Sequence, residues 1–348
     1  MRQTLVPLFR KTAMAMLVSI GLSSSLMATE NAEKITGETT LAVAQVGTAD
    51  QSDARPAGYY RMKVGAYEVT ALFDGTFEFH AELLRNLDQA EINHLLVQHY
   101  GAKMPIQSPV NGYLIHTGDH LVLIDTGAGK LFHQDGKPDA QGNLVEHIKA
   151  SGYQPEQIDT IVLTHLHGDH TGGLIANGQA VFPNAKVYAN KVDYEYWLSE
   201  QIAGQAPLER QIFFKMAMQS TRPYLNNGQW IPVESCSEIV PGITAVAAFG
   251  HTPGHTAFEI TSDGEKMLVW GDVIHNDAVQ FSHPEVAIEN DSDREKAVST
   301  RMNFLKKVVE ENELVAGMHL PFPGIGHVRM DDNGKYQWIP VEESVTKE

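Results

Sequence analysis

The chain has 348 residues, of which 43% are hydrophobic and 20% charged, and this excludes wholesale disorder and collagen-like repeats. Lys and Arg total 26 against 43 Asp and Glu, a formal charge of −17. A field of that sign repels phosphate backbones, so no nucleic-acid partner is expected.

Arg2, Arg10 and Lys11 precede a mostly apolar stretch from Ala13 to Leu22, followed by small residues up to Ala28. That is the order of a secretory signal, and the apolar run is shorter than the roughly 20 residues that span a bilayer. Residues 1–28 are therefore read as a signal peptide. Its removal takes three positive charges and no negative ones, moving −17 to −20. The expectation is a periplasmic or secreted protein with no stable membrane insertion after processing. The lone Cys236 provides no internal disulfide and leaves no room for a Cys-rich zinc module.

Residues 29–57 are polar and without period, and are read as a flexible lead-in; 58–348 are read as one α/β domain. Tyr60–Val64 and Tyr67–Phe73 alternate around Gly65, a hairpin pattern, and Gly112–His116 with Leu121–Ile124 form a second pair. Leu144, Val145 and Ile148 have helical spacing, with Asn143 and Glu146 as a capping box. The β-branched run Ile158–Thr164 predicts a buried strand. Further strands are predicted at Ala185–Ala189, Ile243–Phe249, Ala257–Thr261 and Met267–Trp270. Helices are predicted over about 190–200, 207–219 and Asp293–Glu311, the last with Ser292 and Glu295 as its box.

The chemistry-bearing residues fall at strand ends. Sixteen histidines would put roughly 0.3 into any six residues, yet 165–170 hold three. They lie in Thr164-His165-Leu166-His167-Gly168-Asp169-His170, on the exit loop of a predicted buried strand, where α/β proteins build sites. In extended chain His165 and His167 point to one side and can grip a cation, while Asp169 and His170, past the turn at Gly168, can serve a second. Gly250-His251-Thr252-Pro253-Gly254-His255, Gly271-Asp272 and His319 also follow apolar segments. Together these supply enough ligands for two metals sharing a carboxylate.

The set His165-x-His167-x-Asp169-His170, His251, Asp272 and His319 resembles the metallo-β-lactamase superfamily. The segments 58–62, 69–76, 250–256 and 319–327 are similar to its methyl parathion hydrolases and related lactonases. The resemblance implies an αββα sandwich, with His165, His167 and His251 holding one metal, Asp169, His170 and His319 the other, and Asp272 bridging. It implies that Asp125 shapes the loop rather than binding metal, and it suggests a homodimer. Zn²⁺ suits such imidazole-rich ligands. The implied activity is hydrolysis of a small-molecule substrate by a metal-bridging hydroxide, with Asp169 and Asp272 handling protons. Phe132, Trp197, Phe213 and Phe214 are candidates for an aromatic pocket wall. An imidazole at His275, three residues after Asp272, adds a polar group to that pocket. It favours lactones and aryl esters over organophosphate triesters. A non-catalytic metal binder is one rival class, disfavoured because a binder needs neither a bridging carboxylate nor open coordination positions.

Overall fold

The computed structural model describes residues 58–101, 105–131 and 141–341. The expected signal peptide and lead-in, and Phe132, lie outside the described residues. No helix among the described residues is long and apolar enough to cross a membrane.

Two seven-stranded sheets face each other. The first contains β1 (Tyr59–Val64), β2 (Tyr67–Phe79), β3 (Ile106–His116), β4 (Leu121–Ile124), β5 (Thr160–Val162), β6 (Lys186–Asn190) and β7 (Trp230–Val233), in that spatial order. Its pairs are antiparallel up to β4 and parallel from β4 to β7. The second contains β8 (Glu238–Val240), β9 (Ile243–Ala247), β10 (Thr256–Ser262), β11 (Glu265–Val269), β12 (Leu314–Ala316), β13 (Ile325–Met330) and β14 (Tyr336–Pro340), also in chain order. Only β11 and β12 pair in parallel there. The helices are α1 (Gln89–Tyr100), α2 (Leu144–Ala150), α3 (Gly168–Thr171), α4 (Lys191–Trp197), α5 (Glu200–Gln205), α6 (Leu208–Asn226), α7 (Asp277–Gln280) and α8 (Arg294–Glu310).

Strand periodicity explains why the central runs are unbroken apolar. Along β4, Val122 and Ile124 enter the core between the sheets, while Leu121 and Leu123 enter the core shared with α2, α4 and α6. Along β11, Met267 and Val269 face inward, and Leu268 packs outward with Phe304, Leu305 and Val308 of α8. A stretch of strand covered on both faces gains about 1.5–3 kcal/mol from each fully buried Leu, Ile or Val, so the covered part of β4 and β11 is apolar throughout. The result is the expected α/β sandwich of four layers, helix–sheet–sheet–helix.

Two helix starts differ from expectation. Asn143 caps nothing with its side chain; instead its Nδ2 donates to the Asp74 carbonyl, and the Asp74 carboxylate accepts the Leu144 N–H at 3.1 Å. A register shift between Phe73 and Gly75 in the β2–β3 ladder brings Asp74 to this position. In α8 the cap is Asp293, whose side chain accepts the Lys296 N–H, rather than Ser292. The buried strand is also shorter than the run Ile158–Thr164, because the Thr164 N–H leaves the ladder for the Asp125 carboxylate at 2.8 Å.

Candidate metal centre

The ends of β5, β9, β11 and β12 deliver their following loops to one place. There His165, His167, His251 and Asp272 form one group, and Asp169, His170 and His319 a second; in each, the possible ligand atoms lie within 4.8 Å of one another. All are buried except Asp169, whose side chain is 21% exposed. Asp272 stands between the groups. Its Oδ2 lies 3.2 Å from His251 Nε2, 3.3 Å from His319 Nε2 and 3.7 Å from His165 Nε2, and its Oδ1 lies 3.3 Å from His170 Nε2. His275 joins Asp272 and His319 in a third possible group, its Nε2 3.1 Å from Asp272 Oδ2.

Four of these imidazoles are held by the nitrogen that faces away. His170 Nδ1 donates to Asp125 Oδ2 at 2.7 Å, His251 Nδ1 to Asp291 Oδ1 at 2.9 Å, and His319 Nδ1 to the Pro109 carbonyl at 2.9 Å. Thr164 donates its hydroxyl to Asp125 and accepts from His165 Nδ1 at 3.0 Å. Each bond fixes the tautomer that turns an Nε2 lone pair inward. His167 differs, presenting Nδ1 at 3.1 Å from His251 Nε2.

These donors fit a cation. His165 Nε2, His170 Nε2 and Asp272 Oδ1 are buried with no hydrogen-bond partner. Leaving such atoms unmatched is costly, and their convergence is the arrangement a divalent ion satisfies. The charges agree. Burial opposes ionisation of Asp272, yet the imidazoles of His170, His319, His165 and His275 hold it well below the usual carboxylate range. Burial likewise opposes charging of His170, but Asp272, Asp169 and Asp125 lift it well above 6.5. His165 and His167 are driven well below 6.5, chiefly by burial.

His255, in the same motif as His251, does a different job. Its Nδ1 donates to the Ala248 carbonyl, and its Nε2 accepts the Asp272 N–H at 3.0 Å. Burial pushes it down to about 3, so it stays neutral and positions Asp272 from behind. Gly271 makes the approach possible: its φ is +59°, and a Cβ there would lie 2.6 Å from His255 Nε2. Asp125 also adopts positive φ, +57°, to aim one carboxylate at Thr164 and His170.

The pocket candidates separate by position. Trp197 and Phe213 place rings 5.0 and 5.4 Å from His167. Phe214 lies behind Trp197, at 4.7 Å, in the core under α6. Phe77, which sequence reasoning missed, sets its ring edge-on to His319 at 5.4 Å. A cavity of about 290 Å³ lies beside Trp197, Phe214 and Ser292, and none of the candidate ligands lines it. A larger groove of about 1270 Å³ runs along α6 and is lined by none of the candidate ligands. Asp193, Asp291 and Arg301 were also missed. Each acts through contacts with residues distant in sequence, and a lone Asp near a helix start reads as an ordinary cap.

Similar proteins share this arrangement's fold. N-acyl homoserine lactonase AiiA of Bacillus thuringiensis subsp. kurstaki is 27% identical over 226 residues, covering 59% of this chain and 80% of that one. The solved structure of hydrolase AbOPH, of the β-lactamase superfamily, is 37% identical with a TM-score of 0.78, over 83% of this chain and 99% of that one. AidC, a dizinc quorum-quenching lactonase solved with a product, is 26% identical with a TM-score of 0.74, over 82% and 98% of the two chains. The family model of the metallo-β-lactamase superfamily matches residues 106–319, and the chain belongs to that superfamily.

Proposed function

We propose that the protein is a hydrolase holding two divalent ions, Zn²⁺ by preference, whose substrates are lactones or aryl esters. The observation that carries this reading is the pair of buried donor groups meeting at Asp272, with unmatched His165 Nε2, His170 Nε2 and Asp272 Oδ1 between them. The lactonases among the similar proteins support the substrate class.

His165, His167 and His251 would hold one ion and Asp169, His170 and His319 the other, with Asp272 reaching both. Ions bound there would supply Lewis-acid polarisation of the substrate carbonyl and a water acidified toward neutrality. The chain does the rest. Asp169 is the most exposed member of the set, which suits it to carry a proton from the attacking water to the departing oxygen at its Oδ2. The acyl–oxygen bond breaks as the water oxygen joins the acyl carbon, so one water proton ends on the leaving group. His275 Nε2 sits beside Asp272, and it can turn a hydrogen bond toward a ring or ester oxygen. Trp197, Phe213 and Phe77 line the walls around the histidines and keep water from the apolar part of the substrate.

The test is metal analysis of gently purified protein together with a panel of lactones, aryl esters and phosphotriesters. About two ions per chain and a preference for lactones or aryl esters are expected. A preference for phosphotriesters would replace the substrate assignment. An ion count near zero, with no activity regained on adding Zn²⁺, Mn²⁺ or Co²⁺, would overturn the whole reading.

A further inference from the structure

Asp193 lies in α4, outside every group of possible ligands, yet it is fully buried. Its Oδ2 accepts the Leu166 N–H at 3.2 Å and the Thr252 hydroxyl at 2.8 Å, and its Oδ1 accepts the Gly254 N–H at 2.6 Å. Leu166 stands between His165 and His167; Thr252 follows His251 directly. One carboxylate thus ties together the two loops, from opposite sheets, that carry these three histidines. All three partners are neutral donors, so the carboxylate spends its hydrogen-bonding capacity on loop placement. Gly254 completes the fit, because a Cβ there would lie 2.4 Å from the Asp193 backbone nitrogen.

We infer that Asp193 is a positioning residue that sets the spacing of His165 and His167 against His251, and so the ion affinity of that position alone. The Asp169/His170/His319 position is held by other supports, Asp125 and the Pro109 carbonyl, and does not depend on it. The inference rests on the two-ion reading above.

The full chain and its Asp193→Asn variant are stripped, titrated with Zn²⁺ against a competing chelator, and crystallised at limiting Zn²⁺. Anomalous scattering then reads the occupancy of each position separately. Asn keeps the shape but turns an N–H₂ toward donors, so affinity at the His165/His167/His251 position should fall about 10- to 100-fold, with the other position within about threefold. Thr252→Val removes one of the three bonds and should give a smaller, equally selective loss; it decides the matter if Asp193→Asn does not fold. Equal loss at both positions would mark Asp193 as merely structural and overturn the inference. So would unchanged occupancy beside a wild type that holds both ions, which leaves the two-ion reading standing. A wild type that takes up no zinc at either position sinks both.

Discussion

Arg301 offers a perturbation whose size can be worked out from its contacts. The side chain is 1% exposed, on the inner face of α8. Its Nε donates to the Val273 carbonyl at 2.7 Å, and its Nη1 to the carbonyls of Pro284 and Val286 at 3.0 and 2.5 Å. Burial lowers its pKa to about 10, so it remains charged at neutral pH, with Asp291 favouring that state. Arg301→Met keeps much of the volume and removes all three bonds. Charge-assisted bonds contribute about 1.5–3 kcal/mol each. Full loss of three is an upper limit, because Val286 keeps a bond from Gln280 Nε2 and the methionine regains apolar contact. The expected loss is about 3–5 kcal/mol, read as a lower urea midpoint at unchanged slope. Arg301→Lys, able to reach one carbonyl at a time, should fall between. The loop it clamps runs from Val273 past His275, whose N–H donates to Gln280 Oε1 at 2.7 Å, so hydrolysis should weaken with the clamp. A loss below about 1 kcal/mol in Arg301→Met would refute the reasoning, since carbonyls that lose nothing were never held by the guanidinium.

Asp272→Ala removes the carboxylate common to both donor groups and should abolish hydrolysis and lower the ion count, with circular dichroism close to wild type; full turnover would rule out its bridging role. Asp125→Asn keeps a residue that tolerates positive φ but offers an amide where His170 and Thr164 need an acceptor, and chelator competition should show ion affinity about 10- to 100-fold weaker. In His275→Leu the loss of one hydrogen bond to the reacting group, about 1–3 kcal/mol, should lower lactone kcat/KM about tenfold or more. Phosphotriester hydrolysis should hold or rise, and an equal fall in both activities would make His275 structural.

Much of the sheet framework was legible because period-2 burial on both faces leaves a plain trace. Val122, Ile124, Val162, Met267 and Val269 all face the core between the sheets, and every one falls in a run recognised as a strand. The metal motif was legible for a related reason: histidines crowd into the first turns after a strand that can hold nothing polar. Helix α1 escaped notice because only Ile92 and Leu96 are buried in it, too few to impose a period. Its ends were nonetheless marked, by Asp88 accepting the Ala90 N–H and by Gly101 at positive φ.

What the sequence concealed is the support behind the ligands, and the reason is physical. Asp74, Asp125, Asp193 and Asp291 are buried, and each accepts hydrogen bonds from residues up to 70 positions away. A buried carboxylate is tolerated only when donors surround it. Three of these four are therefore placed where loops leave strand ends and present N–H groups that no ladder satisfies: Leu144 and Ala128 for Asp74, Thr164 for Asp125, Gly254 for Asp193. Asp291 takes the Ile288 N–H in the same way. Asp125, Asp193 and Asp291 then reach the imidazoles or the loops that carry them. Loop closure and ligand orientation are one set of hydrogen bonds. A substitution that spares every histidine can still detune the centre.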